Sequence, residues 1–159
     1  MLIIADSSAL IALATCQCLE LLDRLFKEII VPQSVFDEVI VEGKIVSEKL
    51  RQYLQKKISQ IDLTTAVIST GQLGRGEIEA MALYKQLQAD YLLIDDKRAR
   101  KVAKLNQIKV TGSLGILLLA KQEGLISAVK PFLDQLRTSD IFINENLIVK
   151  ILILANESD

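Results

Sequence analysis

Short aliphatic runs alternate with helical patterns along the chain. Four runs are typical of buried strands, at Leu2–Ala5, 28–31, 91–94 and 108–110, and a fifth segment, at 58–63, alternates apolar and polar residues as a short strand does. Parallel strands need helical crossovers and are covered on both faces. The order therefore predicts an α/β fold of three layers, with a central, mostly parallel sheet of about five strands and helices on both faces.

The helical segments have apolar stripes and recognisable ends. Ser7 and Ser8 are candidate N-caps for a helix through 9–14, and Pro32 suits the first turn of a helix that ends near Gly43. Further helices are predicted at 45–57, after Gly76, at 97–105, after Ser113 and at 127–136, before an amphipathic tail. A weakly patterned loop is expected at 64–74. The chain has no internal repeat or linker, so we expect one domain over 1–159.

Histidine is absent from the 159 residues. This excludes Ser-His-Asp and Cys-His catalysis and histidine-ligated zinc, and leaves carboxylates, hydroxyls, lysines, arginines and two thiols for any chemistry. The formal net charge of −1 gives no overall basic field, which argues against sequence-specific binding of duplex DNA or RNA but not against a local basic patch.

The cysteines and the apolar runs indicate a cytoplasmic protein. Cys16 and Cys18 would face opposite sides of a helix, so we expect free thiols and a reducing compartment. The first residues lack the basic stretch of a signal peptide. The later apolar runs are too short to span a bilayer, and we expect no membrane partner.

Acidic side chains follow two of the predicted strands. Asp6 comes directly after the first strand, and Asp95 and Asp96 come after the fourth. Functional groups of an open α/β sheet gather outside the carboxyl ends of its strands. Each acid taken alone also fits a helix N-cap, but two acids at equivalent strand ends favour a shared site.

Glutamates on two helices are further candidates. Glu38 borders the apolar stripe of the helix after the second strand, and Glu77 lies in a first turn, between Gly76 and the rest of its helix. A glutamate in a first turn is also favoured by the helix dipole, and helical geometry does not separate Glu77 from Glu79. Clustered carboxylates favour a hard cation such as Mg²⁺ or Mn²⁺, which activates water and offsets phosphate charge in phosphodiester hydrolysis.

Five ordered motifs resemble the PIN domains (PilT N-terminus), and within them the VapC-like ribonucleases and a largely uncharacterised PIN-like branch with an Ile-Asp-Asp strand end. The motifs are ADSSALI at 5–11, VPQSVFDEV at 31–39, GRGEIEA at 74–80, LLIDDKRAR at 92–100 and VTGSLGIL at 110–117. The resemblance covers residues 1–124 and leaves 125–159 as a helical C-terminal extension. It implies a central parallel sheet, an acidic Mg²⁺ or Mn²⁺ site and cleavage of single-stranded RNA.

The resemblance also implies roles for individual residues. The implied catalytic and metal-binding residues are Asp6, Glu38, Glu77 and Asp95, with Asp96 as the alternative to Asp95 and with Ser7 and Ser113 in support. Glutamate at 77 departs from the aspartate that is commoner in relatives.

A basic run begins beside the proposed site. The candidate substrate-binding residues are Lys97, Arg98, Arg100 and Lys101, which could guide a phosphate backbone or form a solvated helix face.

Several partners and alternatives follow from the same resemblance. VapC-like proteins suggest a toxin of a toxin-antitoxin pair, a small antitoxin-like partner, and a homodimer through early-helix residues such as Leu19, Leu22, Leu25 and Phe26. The alternative is a catalytically weak or inactive PIN-like binding or regulatory protein. A receiver-type site would need a lysine where 111–113 is Thr-Gly-Ser, and a phosphatase would need a second acid at Ser8.

Overall fold

The five described strands form one parallel sheet whose first strand lies at the centre. The computed structural model describes residues 1–41, 45–62 and 73–157. The strands are β1 (Leu2–Ala5), β2 (Glu28–Pro32), β3 (Ile58–Ser59), β4 (Tyr91–Leu93) and β5 (Val110–Thr111). Their order is β3-β2-β1-β4-β5, and every pairing is parallel, which confirms the predicted α/β class.

Helices cover both faces of this sheet. In chain order the described helices are α1 (Ser7–Thr15), α2 (Glu20–Leu25), α3 (Gln33–Val39), α4 (Ser47–Leu54), α5 (Arg75–Gln86), α6 (Lys97–Leu105), α7 (Ser113–Gln122), α8 (Lys130–Arg137) and α9 (Glu145–Leu154). Within the described ranges, none of them has the length and apolar character needed to cross a lipid bilayer.

Side chains of β1 alternate between two hydrophobic cores. Ile3 and Ala5 pack with the larger cluster, which takes in α1, α3, α4, α7 and the C-terminal helices. Ile4 faces the smaller cluster, to which α5 and α6 contribute Met81 and Val102. This alternation follows from the two-residue period of a strand, and it explains why β1 is almost wholly aliphatic.

The ends of several elements differ from the sequence predictions. Pro32 ends β2 and is the N-cap residue of α3, because its extended backbone (ψ 158°) is not helical. Asp6, rather than Ser7 or Ser8, precedes the first helical residue. The fifth strand occupies Val110–Thr111 instead of 108–110.

Some predicted elements are longer than the observed ones, and some predicted boundaries lie outside the described residues. The helix expected at 45–57 is the shorter α4, and the strand expected at 58–63 is described only as Ile58–Ser59. The helix expected at 127–136 is α8, and the amphipathic tail contains α9. Gly43, residue 63 and most of the loop predicted at 64–74 lie outside the described residues.

The early helices are committed to the core. Leu19, Leu22 and Phe26 are buried in the larger cluster, and Leu25 packs partly buried against it. These side chains are therefore not a free surface for the predicted homodimer. Cys16 and Cys18 are free and buried, as expected, although they lie just after α1 rather than on it.

The C-terminal helices pack on the same core as the sheet. Leu133 of α8 and Ile148 of α9 belong to the cluster that contains Ile3. Beyond α9, the Glu157 carboxylate accepts hydrogen bonds from Lys121 Nζ (2.7 Å) and from the backbone N–H of Val129 (2.8 Å). Residues 125–157 therefore share the core of the preceding chain.

The strand order creates a crevice at the carboxyl ends of β1 and β4. The chain leaves β1 toward β2 on one side, and it later returns to add β4 on the other side of β1. Adjacent parallel strands whose connections run in opposite directions leave room for a ligand at that point. The Asp6 N–H donates to the Leu93 carbonyl at 2.8 Å and so fixes the first acid at this crevice.

Candidate functional site

Asp6 is a buried acid with an unsatisfied oxygen. It follows β1 directly and its side chain is only 2% exposed. Its Oδ1 has no hydrogen-bond partner among the described residues. Burial raises the pKa of Asp6 to about 7 against the hydrogen bond from the Ser7 backbone, and the charges of Glu77, Glu38 and Asp96 add to the rise. Three acids from separate segments therefore act on Asp6.

Glu38 and Asp6 approach each other across Gly76. A Cβ placed on Gly76 would lie 3.2 Å from Glu38 Oε2 and 3.9 Å from Asp6 Oδ1. Glu38 is exposed on α3, beside the buried Val35 and Val39 that anchor the helix. A side chain at position 76 would fill the space between the two carboxylates, so glycine lets α5 approach them closely.

Glu77 lies at the start of α5 and caps its own helix. Its Oε2 accepts a hydrogen bond from the Gly74 N–H at 2.9 Å. This is the structural role that a first-turn glutamate commonly has. Its charge nevertheless contributes to the raised pKa of Asp6.

The two acids after β4 have different partners. Asp95 accepts hydrogen bonds from the Ser113 N–H (2.7 Å) and from Ser113 Oγ (2.6 Å), and so joins the end of β4 to the start of α7. Asp96 is the N-cap of α6, where its Oδ1 accepts from the Ala99 N–H at 2.8 Å. Asp96 is the one whose charge acts on Asp6.

The two supporting serines lie beside different acids. Ser7 lines the cavity beside Glu38 and Glu77. Ser113 is buried and its hydroxyl is used by Asp95.

The basic residues of α6 also differ from one another. Lys97, Arg98 and Lys101 are exposed. Arg100 is half-buried, and its Nη1 donates to the Ile94 carbonyl at 3.3 Å. Arg100 therefore helps to hold the end of β4, while the three exposed side chains are the ones that a polyanion can reach.

A cavity of about 560 Å³ opens beside Glu38 and Glu77. Its lining consists of Ser7, Ser34, Asp37, Glu38 and residues 74–77. Ser34, Asp37 and Arg75 were not among the sequence candidates. The signal available for them is spacing, because Ser34 precedes Glu38 by four residues, one helical turn, and Arg75 lies between the two glycines of the turn.

Glu79, the competitor of Glu77 in the sequence, is buried in this wall. Its Oε1 accepts from Arg75 Nε at 2.8 Å, and its Oε2 accepts from Ser34 Oγ. Burial works to raise the pKa of Glu79, but the hydrogen bonds from Ser34 and Arg75 outweigh it and hold the pKa below its usual value. The structure therefore assigns Glu77 and Glu79 different environments.

The donor set suits a hard cation, although it is not preassembled. Among the described residues, no three His, Cys, Asp or Glu side chains already lie close enough together to hold a metal ion. Glu77 is engaged by Gly74, and Asp95 by Ser113. The unpaired Oδ1 of Asp6 is the atom that best fits a cation. A divalent ion would give this buried oxygen a partner and would neutralise the charge of the carboxylate.

Comparison with known proteins gives the family. A family model described as a PIN domain, DUF3368, matches residues 2–157. No curated protein matches the chain. The match extends past residue 124 and includes α8 and α9. PIN domains are generally metal-dependent nucleases. The family model spans nearly the whole chain, and the chain therefore belongs to this PIN-domain family.

Proposed function

We propose that the protein is a metal-dependent endoribonuclease that cleaves single-stranded RNA. The observation that carries the proposal is Asp6: a buried carboxylate at the crevice between β1 and β4, with an unpaired oxygen and three acids acting on it. Such an arrangement costs stability in a metal-free protein and favours cation binding.

The proposed ligands of the cation are acids from separate segments of the chain. Asp6 and Glu38 are the first pair of ligands, because their oxygens approach the same point beside Gly76. Glu77 is the third ligand, and the fourth is Asp95, as the resemblance implies, or its alternative Asp96, whose charge acts on Asp6. Oxygen ligands without histidine or cysteine favour Mg²⁺ or Mn²⁺. When bound, such an ion supplies an activated water molecule and offsets charge on the phosphate.

A cleavage assay with a matched variant tests the activity. The Asp6→Asn variant should lose cleavage of single-stranded RNA in Mn²⁺ and keep its fold, because the amide removes the buried charge that holds the cation. Asp140→Asn, an exposed acid between α8 and α9, is the control and should cleave as the wild type does. Equal cleavage by wild type and Asp6→Asn would reveal a contaminating nuclease instead.

The toxin role and its partner extend this proposal. A free ribonuclease endangers its own cell, which supports a small antitoxin-like partner whose basic side chain enters the acidic cavity in place of the cation. The two free cysteines suit the cytoplasm, where the RNA is. Expression alone and with the product of the adjacent reading frame tests the pair. A harmless protein that captures no small partner would end the toxin assignment.

The alternative is a PIN-like binding protein with weak or no catalysis. Two observations favour it: within the described ranges no three acids are arranged as a ready metal site, and Asp95 is held by Ser113. Absence of cleavage of any single strand in Mn²⁺, together with retained RNA or protein binding, would support this alternative. A homodimer stays a prediction, and the molar mass from light scattering at micromolar concentration tests it.

A further inference from the structure

The described wall of the acidic cavity includes a positively charged side chain. Arg75, the first residue of α5, lines the cavity together with Asp37, Glu38 and Glu77. Its side chain is 83% exposed. A polyanion that enters this cavity meets repulsion from the three carboxylates in its wall. A fixed positive charge in the wall offsets that repulsion for a phosphate, independently of any metal ion.

A buried acid holds this arginine in place. Glu79 is 3% exposed, and a buried carboxylate is costly unless it is paired and hydrogen-bonded. Arg75 Nε lies 2.8 Å from Glu79 Oε1, and Ser34 Oγ donates to the other oxygen, Oε2. Both oxygens of Glu79 are thereby used inside the protein. The contact with Arg75 uses Nε, so the N–H groups on the two Nη atoms are the ones that a ligand can engage.

We propose that Arg75 is a phosphate anchor for the RNA substrate. Its guanidinium binds the non-bridging oxygens of a phosphate next to the one at the acids, and Glu79 and Ser34 are positioning residues that fix its direction. Arginine suits this task because its planar group bonds two phosphate oxygens at once. The inference rests on the proposed function, since it names how the same site recognises a single strand.

The buried support separates this arginine from an ordinary surface pair. Arg51 of α4 also has a glutamate one turn away, Glu48 at 3.4 Å, but both of those side chains are exposed. A pair of exposed charges contributes little and is easily rearranged. Arg75 differs because its partner is buried and is itself fixed by Ser34. Arg51 is therefore a matched control.

Binding is measured in an Asp6→Asn background, so that cleavage does not interfere. The titration follows the fluorescence anisotropy of a labelled single-stranded RNA in Mg²⁺. Arg75→Ala should raise the Kd about tenfold or more, as expected when the charge-assisted hydrogen bonds of one side chain are removed, and Arg75→Lys should raise it less. Arg75→Ala should also lower the slope of log K against log salt by about 0.7, the value for one phosphate on a single strand. Arg51→Ala should leave both unchanged.

The positioning residues have their own readout. Glu79→Gln and Ser34→Ala should weaken RNA binding less than Arg75→Ala, and neither should weaken it further once Arg75 is alanine.

In the otherwise wild-type enzyme, Arg75→Ala should raise KM with little change in kcat. An Arg75→Ala protein that binds RNA as tightly as its parent overturns the anchor and leaves the nuclease standing. A parent that binds no RNA and a wild type that cleaves none overturn both proposals.

Discussion

At the level of single residues, the ionised form of Asp6 is unfavourable in the folded, metal-free protein. Its carboxyl group is buried, Oδ1 has no partner among the described residues, and its pKa is raised from 3.8 to about 7. Between these values the unfolded chain has released a proton that the folded chain still holds. The stability of the metal-free protein therefore falls as the pH rises from about 4 to about 7, and it is constant with respect to this group above pH 7.

Asp6→Asn removes this titration. In EDTA at pH 8, the variant should be more stable than the wild type by up to about 4 kcal/mol, which corresponds to three pKa units, and the difference should shrink toward pH 4. Urea unfolding at several pH values measures it. Mn²⁺ should raise the Tm of the wild type but not of Asp6→Asn. Parallel pH profiles for the two proteins would show that Asp6 carries no stored charge penalty.

Sequence reasoning identified the acids but not their partners. Asp95 and Asp96 are adjacent, and spacing alone does not decide which of them takes the fourth position. What separates them is long-range: Ser113, at the start of α7, engages Asp95 across 18 residues of chain. The roles of Glu77 and Glu79 likewise depend on α3, which supplies Ser34. Contacts between distant segments are set by packing, and no local pattern encodes them.

At the level of elements, the junction between β4 and α7 is tightly packed around a glycine. Gly112 is the N-cap residue of α7 and has an ordinary φ of −115°, so its conformation does not demand glycine. Space does. A Cβ at this position would lie 2.7 Å from Asp95 Oδ1 and 2.7 Å from Arg100 Nη1.

Gly112→Ala should push Asp95 away from Ser113 and destabilise the protein by about 1–3 kcal/mol, as overpacking commonly does. Chemical unfolding measures the change. Ser113→Ala removes the hydroxyl hydrogen bond alone, and the double variant should be destabilised by less than the sum, because both changes break the same interaction. Unfolding free energies that add without coupling would mean that the methyl group is accommodated elsewhere.

The elements are largely predictable from the sequence, but several of their ends are not. β1 and α6 have the predicted bounds because an aliphatic run and an amphipathic stripe are strong local signals. A positional preference predicts Pro32 in the first turn of a helix, whereas the structure has Pro32 at the end of β2, paired with Ser59 of β3. Pairing across strands decided that end, and it overrode the local preference.

The whole fold followed from the alternation of strands and helices, since few topologies satisfy right-handed crossovers and burial of both sheet faces. The order of the strands did not follow from it. The pattern predicts parallel strands but not that β4 pairs with β1, which places Asp6 and the acids after β4 at one crevice. The strand order brings these acids to one crevice, and their action as a single metal site stays a prediction.

At the level of the whole molecule, the proposed binding of RNA depends on where the positive charges lie. The net charge is −1, and the site itself is acidic. Lys97 and Lys101 lie one turn apart on α6 and are exposed near the carboxyl ends of the strands. Lys109, also exposed, precedes β5 and therefore lies at the opposite edge. The attraction for a phosphate backbone should come from the first two lysines and not from the third.

Removing these charges tests that distribution. In the Asp6→Asn background, Lys97→Ala with Lys101→Ala should weaken binding of single-stranded RNA and lower the salt slope by about 0.7 for each phosphate that the protein no longer neutralises. Lys109→Ala changes the charge by one unit at the far edge and should leave both quantities as they were. Anisotropy titrations across a series of KCl concentrations give the slopes. An equal effect per lysine from Lys109→Ala would mean that RNA responds to net charge, and that α6 does not direct the strand toward Asp6.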